Sequence, residues 1–124
     1  MPDMVNHPPH YKQYDHEVIE LTSKLDFCTG NAVKYILRSR FKGKEKEDLE
    51  KSKWYMKYLK GMQEPPYNEY DCEDRRTILR LSRSFGNYTV NEIVKLALCN
   101  PCDRTDEEFD SIVCGIQARI DNVG

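Results

Sequence analysis

The chain has 124 residues, which suits one compact domain or a small domain with an appendage and excludes two large independent domains. Its 19 basic and 21 acidic residues give a formal net charge of −2, so no overall positive field attracts nucleic acid, which is not an expected partner. No stretch approaches the roughly 20 apolar residues that span a membrane, and no secretion leader is recognisable, so we expect a soluble, intracellular protein without a membrane partner.

All three histidines lie in one segment near the beginning, "NHPPHYKQYDHE", residues 6–17. Two prolines stiffen the loop between His7 and His10, so ordering it costs little entropy. Each imidazole could donate to a phosphate, act as an acid or base near neutral pH, or bind a metal. A metal site is the weaker interpretation, because this spacing does not place two imidazoles on one face of a regular element. Alternatively, the segment is a structural lid in which Tyr11 packs on the helices beneath.

Helical periodicity dominates the first half of the chain, with almost no strand-like alternation. A short amphipathic helix follows Asp15, which is a candidate N-cap. The next pattern, "TGNAVKYILRSRFKGK", predicts a helix that Thr29 opens and Gly43 ends. A third and longest helix is predicted at residues 45–63.

Two prolines in "EPPYNEY" predict a linker at residues 64–70, between an N-terminal helical unit, 1–63, and a C-terminal unit, 71–124. Three shorter helices are expected in the C-terminal unit, two of them opened by capping boxes at Thr89 and Thr105. The predicted fold class is therefore all-α, with about six helices in two groups and no substantial sheet.

Two stripes in the C-terminal unit each have two interpretations. The last helix carries an apolar stripe, made of Phe109, Ile112, Val113, Ile116 and Ile120. Such a stripe belongs to a core or to a surface for a partner helix. Arg76, Arg80 and Arg83 form a second stripe, which could contact phosphates but is more often a solvated or ion-paired face. Acidic partners are available at Glu107, Glu108 and Asp110.

Five cysteines at irregular spacing indicate free thiols in a reducing compartment. Cys99-Asn-Pro-Cys102 could form half of a zinc site or a redox pair. No second CxxC follows, so a zinc ion would need further ligands from elsewhere, such as His7, His10 or Cys114. Two ordinary cysteines around a helix stop at Pro101 are the simpler interpretation.

The second predicted helix offers an unconventional phosphate site, since the chain has no Walker loop, no dinucleotide-binding glycine motif and no nucleophile elbow. At a helix N-terminus, unpaired N–H groups at Gly30 and Asn31 could hold an anion. Lys34 and Arg38 follow one and two turns later and repel each other unless something negative lies between them. Alternatively, Arg38, Arg40 and Lys42 complement the negative end of the helix dipole, but this role does not explain Lys34.

Four separated motifs, "NHPPHY", "EVIEL", "GNAVKYILR" and "DLEKSKWYMKYL", resemble the SaV-like domain of tailed bacteriophages over about residues 5–60. One characterised branch of that family is a podovirus nucleotide kinase that phosphorylates deoxynucleoside monophosphates without a Walker loop. The resemblance implies a nucleotide-binding phage protein, with kinase activity a candidate, in the cytoplasm of the infected bacterial host. Ser39-Arg40-Phe41 departs from the usual small residue and glycine of the family, which gives the site a bulkier, more basic edge.

Phosphoryl transfer needs mostly positioning and charge neutralisation from the protein, and aromatic rings could stack on the base. The side chains assigned to catalysis are His7, His10, Lys34 and Arg38. The side chains assigned to holding the phosphates or the base are Asn6, Tyr11, Gly30, Asn31, Tyr35 and Trp54. Magnesium is a candidate cofactor of this site, and Asp48 and Glu17 could orient the cations or hold the ion.

A function of another class stays open, namely a small phage protein that binds and inhibits or redirects a host protein without catalysis. It depends on the two stripes of the C-terminal unit, which lies outside the resemblance. A nucleotide should perturb residues 6–38, whereas a protein partner should protect residues 71–120. A homo-oligomer is also expected, because the helices carry more apolar surface than one small core can use.

Overall fold

The computed structural model describes residues 17–40 and 43–123, and these ranges are helical without any strand. The helices are α1 (Val18–Thr22), α2 (Phe27–Arg38), α3 (Glu45–Lys60), α4 (Cys72–Ser84), α5 (Tyr88–Leu98) and α6 (Asp106–Asp121), with a short 3-10 helix at Pro101–Asp103. The predicted all-α fold with six helices is confirmed. Within the described ranges, no helix is both long enough and apolar enough to cross a membrane.

Helix α1 begins at Val18, with Glu17 as its N-cap. The Glu20 side chain accepts a hydrogen bond from the Glu17 backbone N–H at 3.3 Å and so satisfies a donor beside the first turn. The expectation that Asp15 caps this helix is wrong, because the Glu17–Glu20 pair supplies the cap two residues later.

Helix α2 begins at Phe27, two residues before the predicted start, because Asp26 is its N-cap. The Asp26 carboxylate accepts from the Thr29 N–H at 3.0 Å and from the Thr29 hydroxyl at 2.7 Å. A carboxylate is a strong N-cap, and its charge also favours the positive end of the helix dipole. Thr29 and Gly30 therefore lie inside the first turns of α2, and the expected start at Thr29 is wrong.

Helices α2 and α3 form an antiparallel hairpin. The Ser52 hydroxyl donates to the Ala32 carbonyl at 2.8 Å, while Phe27 contacts Tyr55 and Lys51 lies over Tyr35. The residue numbers rise along α2 as they fall along α3, and this register places the outer faces of the two helices side by side.

The C-terminal helices begin at side-chain caps. The Asp71 carboxylate accepts a backbone N–H at 2.7 Å and starts α4 where the sequence predicts. Thr105 and Glu108 form the predicted capping box of α6, with bonds of 3.2 Å in both directions. Helix α5 begins before Thr89, because the Asn87 side chain caps it. Asparagine is the better N-cap of the two, which explains this error.

One apolar core joins all six helices. Helix α6 packs along α3, and α5 packs against α2, so the second group of helices lies directly on the first. Side chains of α3 fix the register with α6, since Lys53 donates to Gln117 at 2.7 Å and Lys60 pairs with Asp110 at 2.7 Å. The two predicted units therefore share their core, while the boundary drawn between them stays a prediction.

The apolar stripe of α6 lies in this core. Its buried members are Phe109, Ile112, Ile116 and Ile120, and Val113 packs partly buried beside them. Of its two interpretations, the core is confirmed. The expectation that this stripe offers a surface to a host protein is wrong, because the stripe is buried and α3 and α5 pack against α6.

The connection between α3 and α4 is tied to the N-terminal helices at Tyr70. The Tyr70 hydroxyl donates to the Lys24 carbonyl at 2.6 Å and accepts from the Asn68 amide at 3.3 Å. Residues 64–70 form no helix, as their prolines predict. Because Lys24 lies between α1 and α2, this bond fixes where the chain crosses back over the first helices.

Candidate functional site

The outer face of the α2–α3 hairpin carries a set of aromatic rings in mutual contact, which we call the aromatic band. Its members are Phe27, Tyr35, Trp54, Tyr55 and Tyr58. Tyr55 is its centre, with ring centroids 5.9 Å from Phe27, 6.1 Å from Tyr35 and 5.1 Å from Trp54. Trp54 in turn stacks on Tyr58 at 5.2 Å with an interplanar angle of 21°.

Three rings of the aromatic band are exposed. Phe27 is 74% exposed, Trp54 57% and Tyr58 53%, whereas Tyr35 and Tyr55 are partly buried. Single exposed apolar residues are common, but adjoining exposed rings are typical of a surface that binds something. The exposed rings of the band are therefore the first candidate for a binding surface.

Three cations surround the Tyr35 ring, and we call them the cation cluster. Lys34 Nζ lies 4.6 Å from the ring centroid, Lys51 Nζ 5.3 Å and Arg38 Cζ 5.7 Å. Each is attracted to the ring by about 0.5–1 kcal/mol, but the like charges repel one another. Of these three cations, only Lys51 has an acidic partner among the described residues, Glu47 at 3.4 Å.

Arg38 also contributes a buried donor. Its Nε is buried and has no hydrogen-bond partner within the described part of the chain. A buried donor without an acceptor costs free energy. An anionic oxygen among the three cations would reduce their mutual repulsion, and one within reach of the Arg38 Nε would also satisfy this donor.

Two depressions flank these groups. One, of about 320 Å³, lies between α1 and the beginning of α2 and is lined by Gly30, Asn31 and Lys34 together with Phe27. The other, of about 520 Å³, lies along α3. Its lining residues are Glu50, Lys53, Trp54, Lys57 and Tyr58. Lys34 of the cation cluster lines the first depression. Trp54 and Tyr58 of the aromatic band line the second.

The predicted site residues fall into two groups. Asn6, His7, His10 and Tyr11 lie outside the described residues, so their roles stay predictions. The remaining six lie on the α2–α3 hairpin, and the structure brings most of them together. Lys34 and Arg38 converge on Tyr35, and Trp54 is linked to Tyr35 through Tyr55.

The expected phosphate cradle at Gly30 and Asn31 is wrong in its geometry. The Gly30 N–H donates to the Asp26 carbonyl at 2.8 Å and is not free to hold an anion. A Cβ at Gly30 would lie 3.1 Å from the Thr22 carbonyl oxygen, so this glycine serves the close packing of α1 on α2. The Asn31 side chain donates to the Phe27 carbonyl at 2.8 Å and keeps its amide oxygen for other donors.

Sequence reasoning missed Lys51 and three rings of the aromatic band. Lys51 is one of several lysines on α3, and nothing local distinguishes it. Its role depends on the register of α3 against α2, which places Lys51 opposite Tyr35. A partial signal existed for the rings, because Lys51, Trp54, Tyr55 and Tyr58 recur at helix spacing on one face of α3.

The described residues contain no group of three or more cysteine, aspartate, glutamate or histidine side chains that could hold a metal ion. Glu17 caps α1, and Asp48 is only 4% exposed, with its Oδ2 unpaired among the described residues. The five thiols are free. Cys99 follows the end of α5, and Cys102 lies in the 3-10 helix that Pro101 begins, which matches the simpler interpretation of a helix stop.

Cys28 is the buried thiol of the chain. Burial raises its pKa, and the neighbouring Asp26 carboxylate raises the pKa further. The reactive form of cysteine is the thiolate, so both effects keep Cys28 protonated and unreactive at neutral pH. Its position on the buried face of α2 makes it part of the core and not of the site.

Residues 5–57 match the model of a protein family described as a protein of unknown function, DUF3310. No curated protein and no solved structure matches the chain. The matched segment includes α1, α2 and most of α3, which carry the cation cluster and nearly all of the aromatic band. Over residues 5–57, which are less than half of its length, the chain is therefore similar to this family of unknown function.

Proposed function

We propose that the protein binds a nucleotide, with its phosphates in the cation cluster. The observation that carries this proposal is the convergence of Lys34, Arg38 and Lys51 on one ring, with an acidic partner for Lys51 alone among the described residues. Three positive charges around one ring favour the binding of an anion beside them, and arginine and lysine are the usual ligands of phosphate. Tyr35 then orients the cations and does not itself stack on the base.

The base of the nucleotide lies on the exposed part of the aromatic band. Trp54 is the exposed ring nearest to the cation cluster along α3, since Tyr55 contacts both Trp54 and Tyr35. Stacking on an indole face is favourable for any base. The Asn31 amide, which shares a depression with Lys34, supplies a polar group beside the phosphates.

Phosphoryl transfer is the activity that we propose for this site, which makes the protein a candidate nucleotide kinase without a Walker loop. The resemblance of residues 5–60 to the SaV-like phage domain supports this proposal, as does the chemistry of the cation cluster, which neutralises phosphate charge. His7 and His10 would act on the transferring group, and magnesium would be the metal. A phage origin and the cytoplasm of the infected bacterium belong to the same proposal.

A thermal-shift titration with deoxynucleoside mono- and triphosphates, with and without magnesium, tests the binding. A ligand that binds only the folded state stabilises it by about 2.7 kcal/mol at a concentration 100 times its Kd. We expect Lys34→Ala to abolish the shift and His10→Ala to reduce it. Lys95→Ala is the matched control, because Lys95 is an exposed lysine on α5 outside the site. A shift that Lys34→Ala leaves intact would contradict the proposal.

The competing proposal, binding of a host protein, loses one of its two supports because the α6 stripe is buried. Its other support is the arginine stripe, whose side chains at Arg76, Arg80 and Arg83 are exposed on α4. Their expected acidic partners are engaged elsewhere, with Asp110 bound to Lys60 and Glu108 to the N-cap of α6. Self-association stays a prediction.

A further inference from the structure

We infer that the aromatic band binds single-stranded nucleic acid, with successive bases on its exposed rings. This inference rests on the proposed function, because the strand would place one phosphate in the cation cluster. It extends the ligand from a single nucleotide to a polymer that follows α3.

The rings are arranged as a platform and not as a closed pocket. Phe27, Trp54 and Tyr58 are each more than half exposed, and Tyr55 and Trp54 connect them without a break. A pocket for a small molecule usually encloses most of its ligand. Open rings in a row suit a ligand that offers several flat faces in succession, and every base offers such a face.

The charges along α3 continue beyond the cation cluster. Lys53 and Lys57 line the depression that contains Trp54 and Tyr58. Lys53 donates to Gln117, a neutral side chain that leaves its positive charge uncompensated. Glu50 lines the same depression and opposes this field in part.

The aromatic band extends along α3 beyond the cation cluster. Lys51 and Tyr58 are seven residues apart on one face, which is about 10 Å along the helix axis. A strand with one phosphate in the cation cluster spans this distance and places a second phosphate beside Lys57. A chain of net charge −2 thus presents a locally basic face interleaved with rings, which is the combination that binds single strands.

Trp54 is the single tryptophan of the chain, so its fluorescence reports on this surface alone. We would titrate the intact protein with thymidine monophosphate and with oligothymidylates of two, four and eight nucleotides, at several salt concentrations. Stacking should quench the emission, and the affinity should rise at least roughly 10-fold from the monophosphate to the octamer. The affinity for the octamer should fall with salt, with a slope of about −0.7 for each phosphate contacted.

Variants locate the strand. Tyr58→Ala should weaken octamer binding about 5- to 10-fold and affect the monophosphate less. Lys57→Ala should reduce the salt slope by about 0.7. Tyr88→Ala is the matched control, because Tyr88 is an exposed tyrosine on α5 outside the aromatic band, and it should change neither titration.

The outcomes separate this inference from the proposed function. If the monophosphate binds and the octamer binds no tighter, the strand proposal is overturned while nucleotide binding stands. If neither quenches Trp54 and neither shifts the melting temperature, both proposals fall. A further outcome is that the octamer binds without changing Trp54 emission, and that the Tyr58→Ala variant binds it as tightly as the unchanged protein does. This result would place the strand elsewhere and overturn the inference. If Trp54 emission changes with protein concentration in the absence of any nucleotide, the aromatic band contacts a second copy of the chain. That result would also overturn the inference.

Discussion

The cation cluster depends on the identity of one ring. Tyr35 lies on α2 beside Lys34, and Lys51 reaches the same ring from α3. The sequence predicts neither contact. Adjacent residues on a helix do not face each other, and a contact between helices depends on a register that no local pattern encodes.

Gly30 shows how one missing side chain positions two helices. Alanine there would place a Cβ 3.1 Å from the Thr22 carbonyl oxygen, closer than ordinary contacts. We predict that Gly30→Ala destabilises the protein by about 1–3 kcal/mol, even though alanine favours helices by about 1 kcal/mol over glycine. Urea denaturation measures the change.

Gly115→Ala is the control for this substitution. Gly115 lies inside α6 with no neighbouring heavy atom within 4 Å of the added Cβ, so helix propensity alone should act. We expect a gain of about 0.5–1 kcal/mol. A similar gain from Gly30→Ala would show that α1 does not press on α2 at this point.

At the scale of whole helices, periodicity predicted more than caps did. The buried face of α6 follows directly from apolar residues at helix spacing, and so does the existence of each helix. Helix beginnings were less predictable because neighbouring polar residues compete as N-caps. Asp26 and Asn87 each displaced the expected start by supplying a side-chain acceptor earlier in the chain.

The stripe of α6 should carry a large share of the packing energy. Ile116 is fully buried at the interface with the other helices. We predict that Ile116→Ala costs about 2–5 kcal/mol of unfolding free energy through lost burial and the cavity left behind. Ser111→Ala, at an exposed position of the same helix, should change the stability by less than about 0.5 kcal/mol. Equal small effects in denaturant titrations would argue against a buried α6.

For the whole molecule, the shared core predicts a single unfolding transition. The predicted N-terminal and C-terminal units contribute side chains to one cluster, so neither can lose its packing without exposing the other. Trp54 fluorescence follows α3, while far-ultraviolet circular dichroism follows all the helices. The two signals should give the same midpoint in urea, and separate midpoints would show that the units unfold independently.

The bond from Tyr70 to the Lys24 carbonyl also divides the connection before α4 into a permissive half and a constrained half. Residues 62–69 precede this anchor, and lengthening them widens a surface loop, at a cost that grows by only about 0.6 kcal/mol for each doubling of loop length. After the anchor, Asp71 is already the N-cap of α4, so an added residue there would separate the hydroxyl from the helix it positions. A reporter or affinity tag inserted within the chain therefore belongs on the earlier side of Tyr70.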